Sequence, residues 1–147
     1  MKIKTLELTG TALDWVVAKC EDLHTGYPGY WSNSVLEAAD RGTENPFAYS
    51  TKWTLAGPII ERECISLTQF KEDEVDPIDV GAWCAAYDRE DFGDDDLSCT
   101  APTPLIAAMR CYVASKLGDE IEVPDAMATI ILCFFCGFVG FALGLAS

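Results

Sequence analysis

The sequence predicts an α+β domain: a small, mainly antiparallel sheet packed against two helices, followed by an apolar C-terminal helix. Three observations carry this expectation. KIKTLEL, CISLTQF and VGAWCAAY alternate or run apolar over strand-like lengths. Two stretches, one opening at Thr9 or Thr11 and one running from Thr103 to Gly118, place apolar residues at helical spacing. Residues 126–147 carry no charge at all.

The elements follow in chain order. In Met1–Leu8, Ile3, Thr5 and Glu7 share one face and Lys4, Leu6 and Leu8 the other, which suits a short strand. Thr11 followed by Asp14 has the spacing of a capping box, although Glu or Gln is the stronger partner. Leu13, Val16, Val17 and Cys20 then form one buried helical face. Trp15 points elsewhere, either to pack on a second surface or to sit at a binding site. Residues 22–48 read as a loop, with a short helical piece at Val35–Asp40. Its aromatics, in HTGYPGYWSNS, build either a binding surface or the loop's own small core. Gly57-Pro58 reads as a break, with Pro58 opening a short helix through Arg62. Strands follow at Cys64–Phe70 and Val80–Tyr87. The clearest signal is the second long helix: Thr103 as N-cap, Pro104 in the first turn, Lys116 in the last and Gly118 as stop. Leu105, Ile106, Met109, Tyr112, Val113 and Leu117 give it a wide apolar face.

At 147 residues the chain suits one domain, expected over residues 1–125. Net charge is −14, which disfavours general binding to nucleic acid or to an anionic membrane surface. The seven cysteines are irregularly spaced and no apolar run follows the N-terminus, so reduced thiols in a cytoplasm are expected. Cys133-Phe-Phe-Cys136 lacks two further ligands, and His24 is remote in sequence. No metal and no cofactor are expected. DREDFGDDD, with Asp88, Glu90, Asp91, Asp94, Asp95 and Asp96, lacks the ligand spacing of an EF-hand and reads as a solvated acidic loop.

MKIKTLELTGTALDWVVAKCE, YSTKW…GPIIERE and PTPLIAAMRCYVASKLGDEIEVP resemble the NinX family of lambdoid bacteriophages and prophages. The resemblance implies a small phage accessory protein, expressed in an infected bacterium from a region near recombination genes. It implies no activity. The sequence departs from the pattern at Ala56-Gly57, where paired glycines are expected, and at Cys64 and Ala101, where glycine is usual. Its acidic stretch is longer than usual. Members resembling it finish soon after Glu122–Asp125, so residues 126–147 look like an extension.

No P-loop, GxSxG, HExxH or dinucleotide fingerprint appears, so a non-catalytic binding protein is expected. Its candidate surface joins Tyr49, Trp53, Glu61 and Arg62 to Thr103 and Arg110, for a host protein or a small anionic ligand. Arginine suits carboxylate or phosphate by its fork, and the helix start at Thr103 could add N–H donors. Against this stand an internal ion pair for either arginine and side-chain capping by Thr103. A second reading has Asp88–Asp96 meeting a basic host protein as a DNA mimic does. A third rests on the 22 uncharged residues 126–147. At about 1.5 Å per residue they would span a hydrocarbon core of roughly 30 Å. Phe134, Phe135, Phe138 and Phe141 make the segment too apolar all round for an ordinary surface helix, and Gly140 and Gly144 would allow close helix pairing at the inner membrane.

Overall fold

A computed structural model describes residues 1–71, 81–87 and 97–131. Asp88, Glu90, Asp91, Asp94, Asp95 and Asp96 lie outside the described residues, as do Phe134, Phe135, Phe138, Gly140, Phe141 and Gly144. The elements are β1 (Lys2–Lys4), a 3-10 turn (Thr5–Glu7), α1 (Gly10–Thr25), α2 (Tyr30–Arg41), α3 (Trp53–Glu63), β2 (Ile65–Gln69), β3 (Trp83–Tyr87), β4 (Ser98–Ala101), α4 (Pro104–Leu117) and β5 (Glu120–Glu122). The class is α+β, and every strand pair is antiparallel. The strands divide into two sheets, β1-β5 and β2-β3-β4, rather than the single sheet expected.

β1 and β5 clasp the two ends of the domain. Lys2 faces Glu122, Ile3 faces Ile121 and Lys4 faces Glu120. Opposite charges therefore flank a buried isoleucine pair on a two-stranded ribbon too short to stand alone. Thr5 extends the clasp: its N–H donates to Asp119 O at 2.8 Å and its hydroxyl to Gly118 O at 2.6 Å.

α4 lies at the centre. Thr103 caps it as expected, accepting the Ile106 N–H at 3.3 Å, and Gly118 ends it. Ala107, Ala108 and Cys111 are buried beside Leu105, Met109, Tyr112 and Val113, so more than one face is covered. The three-stranded sheet packs on this helix, and so does α1, which also packs on α2. Small side chains on α4 permit both approaches. The expectation that the sheet would also cover the first helix is corrected: α1 packs on helices.

Three further corrections have local causes. Residues 30–41, read mostly as loop, form α2. Its first turn takes no cap from its own side chains; instead Asp22 of α1 accepts the N–H groups of Gly29 at 2.7 Å and Trp31 at 3.3 Å. Pro58 does not break the chain but lies inside α3. Gly57 before it has no Cβ to meet the proline ring, which removes part of the usual penalty. Asp14 does not close a capping box with Thr11. It is buried, and its carboxylate accepts Ser50 N–H at 2.7 Å and the Asn45 amide at 3.0 Å.

Residues 125–131 are helical, and Met127 and Ala128 are buried in the domain core. Among the described residues no helix is long and apolar enough to cross a membrane.

α3 ends at Cys64, which has φ 56° and ψ 48° and returns its N–H to Glu61 and Ile60. This left-handed geometry costs an L side chain about 1–2 kcal/mol and glycine almost nothing. It supplies the physical reason for a glycine there. Cys64 is exposed, so its side chain adds little packing. Urea unfolding should show Cys64→Gly more stable by about 0.5–1 kcal/mol, after the extra unfolded-state entropy of glycine. Cys64→Val should be less stable than the native chain.

Candidate functional site

Six residues were candidates from the sequence, and the structure gives most of them structural partners. Thr103 is the cap of α4. Arg110 donates from Nε to Leu8 O at 2.7 Å and from Nη1 to Thr100 O at 3.1 Å, tying the chain before α1 to β4. Tyr49 is buried and stacks on Phe47 at 6.4 Å, and Phe47 meets Trp31 edge-on at 4.2 Å. Tyr49 belongs to the main hydrophobic core, and Trp31 and Phe47 pack against it rather than forming a separate core of the segment. Trp53 and Glu61 are exposed.

Arg62 belongs to a network that joins four elements. Its Nη2 lies 2.7 Å from Glu21 Oε1 on α1, and its Nε lies 3.3 Å from Glu63 Oε1. Tyr112 of α4 donates to the same Glu21 oxygen at 2.7 Å. Glu63 is only 6% exposed. Its other oxygen meets Lys116 Nζ at 3.5 Å and accepts from Tyr87 OH on β3 at 3.4 Å, while that hydroxyl also meets Ser115 at 2.7 Å. Burial alone would raise the Glu63 carboxyl. The Arg62 hydrogen bond and the Lys116 charge overcome that effect and hold it below its ordinary value. Glu63 is therefore an ionised side chain held in the interior by its partners.

The open site lies on the other side of α1. A cleft of about 590 Å³ runs between the end of α1 and the start of α2, with Trp15, Lys19, Asp22, Leu23, Ser32 and Asn33 in its lining. Trp15, Lys19 and Asp22 fall at i, i+4 and i+7, which aligns them along one helix stripe. Lys19 Nζ stands 5.5 Å from the centre of the Trp15 ring. Both Asp22 oxygens accept backbone N–H groups at the start of α2, so this carboxylate stabilises that helix end. Gly29 turns the chain there with φ 80°, and a Cβ on it would meet the Asn33 amide at 3.4 Å. Trp15 and Ser32 are 7% and 5% exposed, yet the indole Nε1 and the Ser32 hydroxyl have no hydrogen-bond partner among the described residues. Each such buried group costs about 1–3 kcal/mol. Leu23, Tyr27 and Tyr30 stand exposed around the same corner.

The sequence singled out Trp15 and the YPGYW aromatics without joining them. Lys19, Asp22 and Ser32 were missed because on a helix surface they look like ordinary polar residues. The Trp15–Lys19–Asp22 spacing was the available signal. A second groove, between α2 and residues 125–131, has Glu37 and Asp40 as its charged lining and no cation.

Among the described residues, no group of three or more His, Cys, Asp or Glu side chains could hold a metal ion. Five thiols, Cys20, Cys64, Cys84, Cys99 and Cys111, are free. The features so far define a small helix-rich α+β domain with a mainly apolar cleft at a helix corner. The chain belongs to the family described as Bacteriophage P22, NinX, whose model matches residues 4–116. That match takes in α1, α2, α3 and nearly all of α4, hence both the buried network and the cleft. Membership makes it a phage accessory protein and assigns no biochemical activity. No curated protein matches the sequence.

Two outcomes follow from the buried carboxylates. Glu63→Ala should lower unfolding stability by about 3 kcal/mol, because it removes the carboxylate shared by Arg62, Lys116 and Tyr87 and leaves Lys116 facing a cavity. Lys116→Met should cost under about 1 kcal/mol, since its ammonium is partly hydrated. Urea titration checks the order. Asp14 behaves oppositely to Glu63: burial pushes its carboxyl up to about 6, against the lowering effect of the Ser50 N–H. The folded state then holds its proton more tightly than the unfolded chain. Its contribution is fully present below about pH 4 and is lost as pH rises toward 6. Lowering pH from 7 to 5 should raise the Asp14 contribution by about 1 kcal/mol. In Asp14→Asn that gain should vanish from the stability–pH profile.

Proposed function

We propose that this phage accessory protein is a non-catalytic binding protein, and that it takes its ligand in the cleft between α1 and α2. The observation that carries the reading is the cleft itself, whose lining residues Trp15 and Ser32 each keep a buried polar group with no hydrogen-bond partner among the described residues, as Trp31 and Ser50 do elsewhere. Interior polar groups in folded proteins are almost always bonded, so a site that leaves two together is suited to an incoming acceptor. The non-catalytic part rests on the charged residues there. Both Asp22 oxygens are engaged by backbone N–H groups, and Lys19 lies against a ring rather than beside a nucleophile. The arginines favoured by the sequence serve this function indirectly, because Arg62 holds α1 from its opposite face.

A host-cell extract separated by size tests the reading. The small-molecule fraction should raise the Tm of the purified full chain by a few degrees, and Trp15→Phe combined with Ser32→Ala should abolish the rise while the variant stays folded. A rise that survives in the double variant would contradict it. If instead only the macromolecular fraction acts, and neutralising Asp94, Asp95 and Asp96 weakens the effect, the acidic host-protein reading replaces it.

A further inference from the structure

We infer that the α1–α2 cleft is specific for a small monoanionic ligand, a carboxylate on an apolar body, with Lys19 as the residue that selects its charge. The inference rests on the cleft being the binding site and adds the chemistry of its occupant.

The cleft is mainly apolar, and its one cationic group is Lys19. Lys19 supplies an ammonium that makes no ion pair among the described residues, its contact being the face of Trp15. Trp15 supplies an indole N–H and can accept nothing in return. Ser32 supplies a hydroxyl, and Asn33 an amide at the rim. The one carboxylate in the wall, Asp22, already accepts from Gly29 and Trp31. A ligand that completes this set must bring acceptors. A carboxylate offers two oxygens with about four lone-pair sites, enough for Lys19, the indole and the hydroxyl together. A cationic ligand would meet the Lys19 ammonium, and the nearest carboxylate, Asp22, is already engaged by two backbone N–H groups.

Charge limits the ligand from the other side. Asp22 sits within the wall, and the chain carries a net charge of −14, so a dianion such as a phosphate monoester is repelled by the surroundings. One negative charge matches the one ammonium. The remaining wall, Trp15, Leu23 and Pro28, is apolar and suits a ring or a branched chain. The likewise open groove beside Glu37 and Asp40 has no cation and cannot make this choice.

The test uses the full chain labelled with nitrogen-15 and three matched probes: phenylacetate, benzylamine and benzyl alcohol. The Trp15 indole resonance is assigned by its loss in Trp15→Phe. Phenylacetate should move the Trp15 indole signal and the Ser32 and Gly29 amides in a saturable way, and Lys19→Met should weaken that binding roughly tenfold, the loss of one charge-assisted contact. Lys19→Arg should retain most of it. If benzylamine or benzyl alcohol moves the same signals as strongly, the charge selection is wrong while the cleft remains the binding site. If none of the probes moves any cleft resonance, the carboxylate inference and the cleft reading both fail. If phenylacetate binds but Lys19→Met binds it equally well, Lys19 is not the selecting residue and the inference is overturned.

Discussion

The ionised Glu63 side chain, enclosed at the end of α3, is the constraint on which the remaining structure depends. A carboxylate in the interior is tolerable only if partners reach it from every side. Here they come from three elements: Arg62 beside it on α3, Lys116 on α4 and Tyr87 on β3. Arg62 carries the connection onward to Glu21, and Tyr112 closes it from α4. Apolar burial around α4 supplies the general driving force, but these bonds have direction. They fix how α1, α3 and β3 are rotated against the central helix.

That rotation has a functional consequence. α1 turns Glu21 inward to the network and turns Trp15, Lys19 and Asp22 toward α2. The same helix is therefore held on one face and forms a cleft with the other. An acidic chain has few cations, and their placement divides the work. Arg62 and Lys116 neutralise buried carboxylates, Arg110 binds backbone carbonyls, and Lys2 and Lys4 face glutamates across the end clasp. Lys19 stands over a ring at the mouth of a cleft instead. Its position follows from the anchoring of the other face.

Much of this fold was legible wherever the deciding interactions are local. α4 could be bounded to the residue because Thr103, Pro104 and Gly118 act within one turn of its ends. The buried face of α1 followed from simple periodicity. α2 was hidden because its start is stabilised by Asp22, seven residues before Gly29, across the α1–α2 turn. Turn residues at Gly26, Pro28 and Gly29 dominated the local signal. β5 was hidden because a three-residue strand has meaning only once EIE is set against KIK. At the candidate site, the scarcity of arginine was a real clue with two readings, function or internal neutralisation. Geometry gives Arg62 and Arg110 internal partners. The cleft residues come from two helices, and no spacing in the chain joins Lys19 to Ser32.

The interdependence of this network is best tested by a double-mutant cycle on Glu21 and Arg62, read as unfolding free energies in urea. If the pair belongs to a cooperative unit that orients α1 on α4, Glu21→Gln and Arg62→Met should show a coupling energy of at least about 1 kcal/mol, persisting at high salt. A coupling below about 0.3 kcal/mol, or one that disappears with salt, would reduce the pair to an ordinary surface ion pair and contradict the account of how α1 is held.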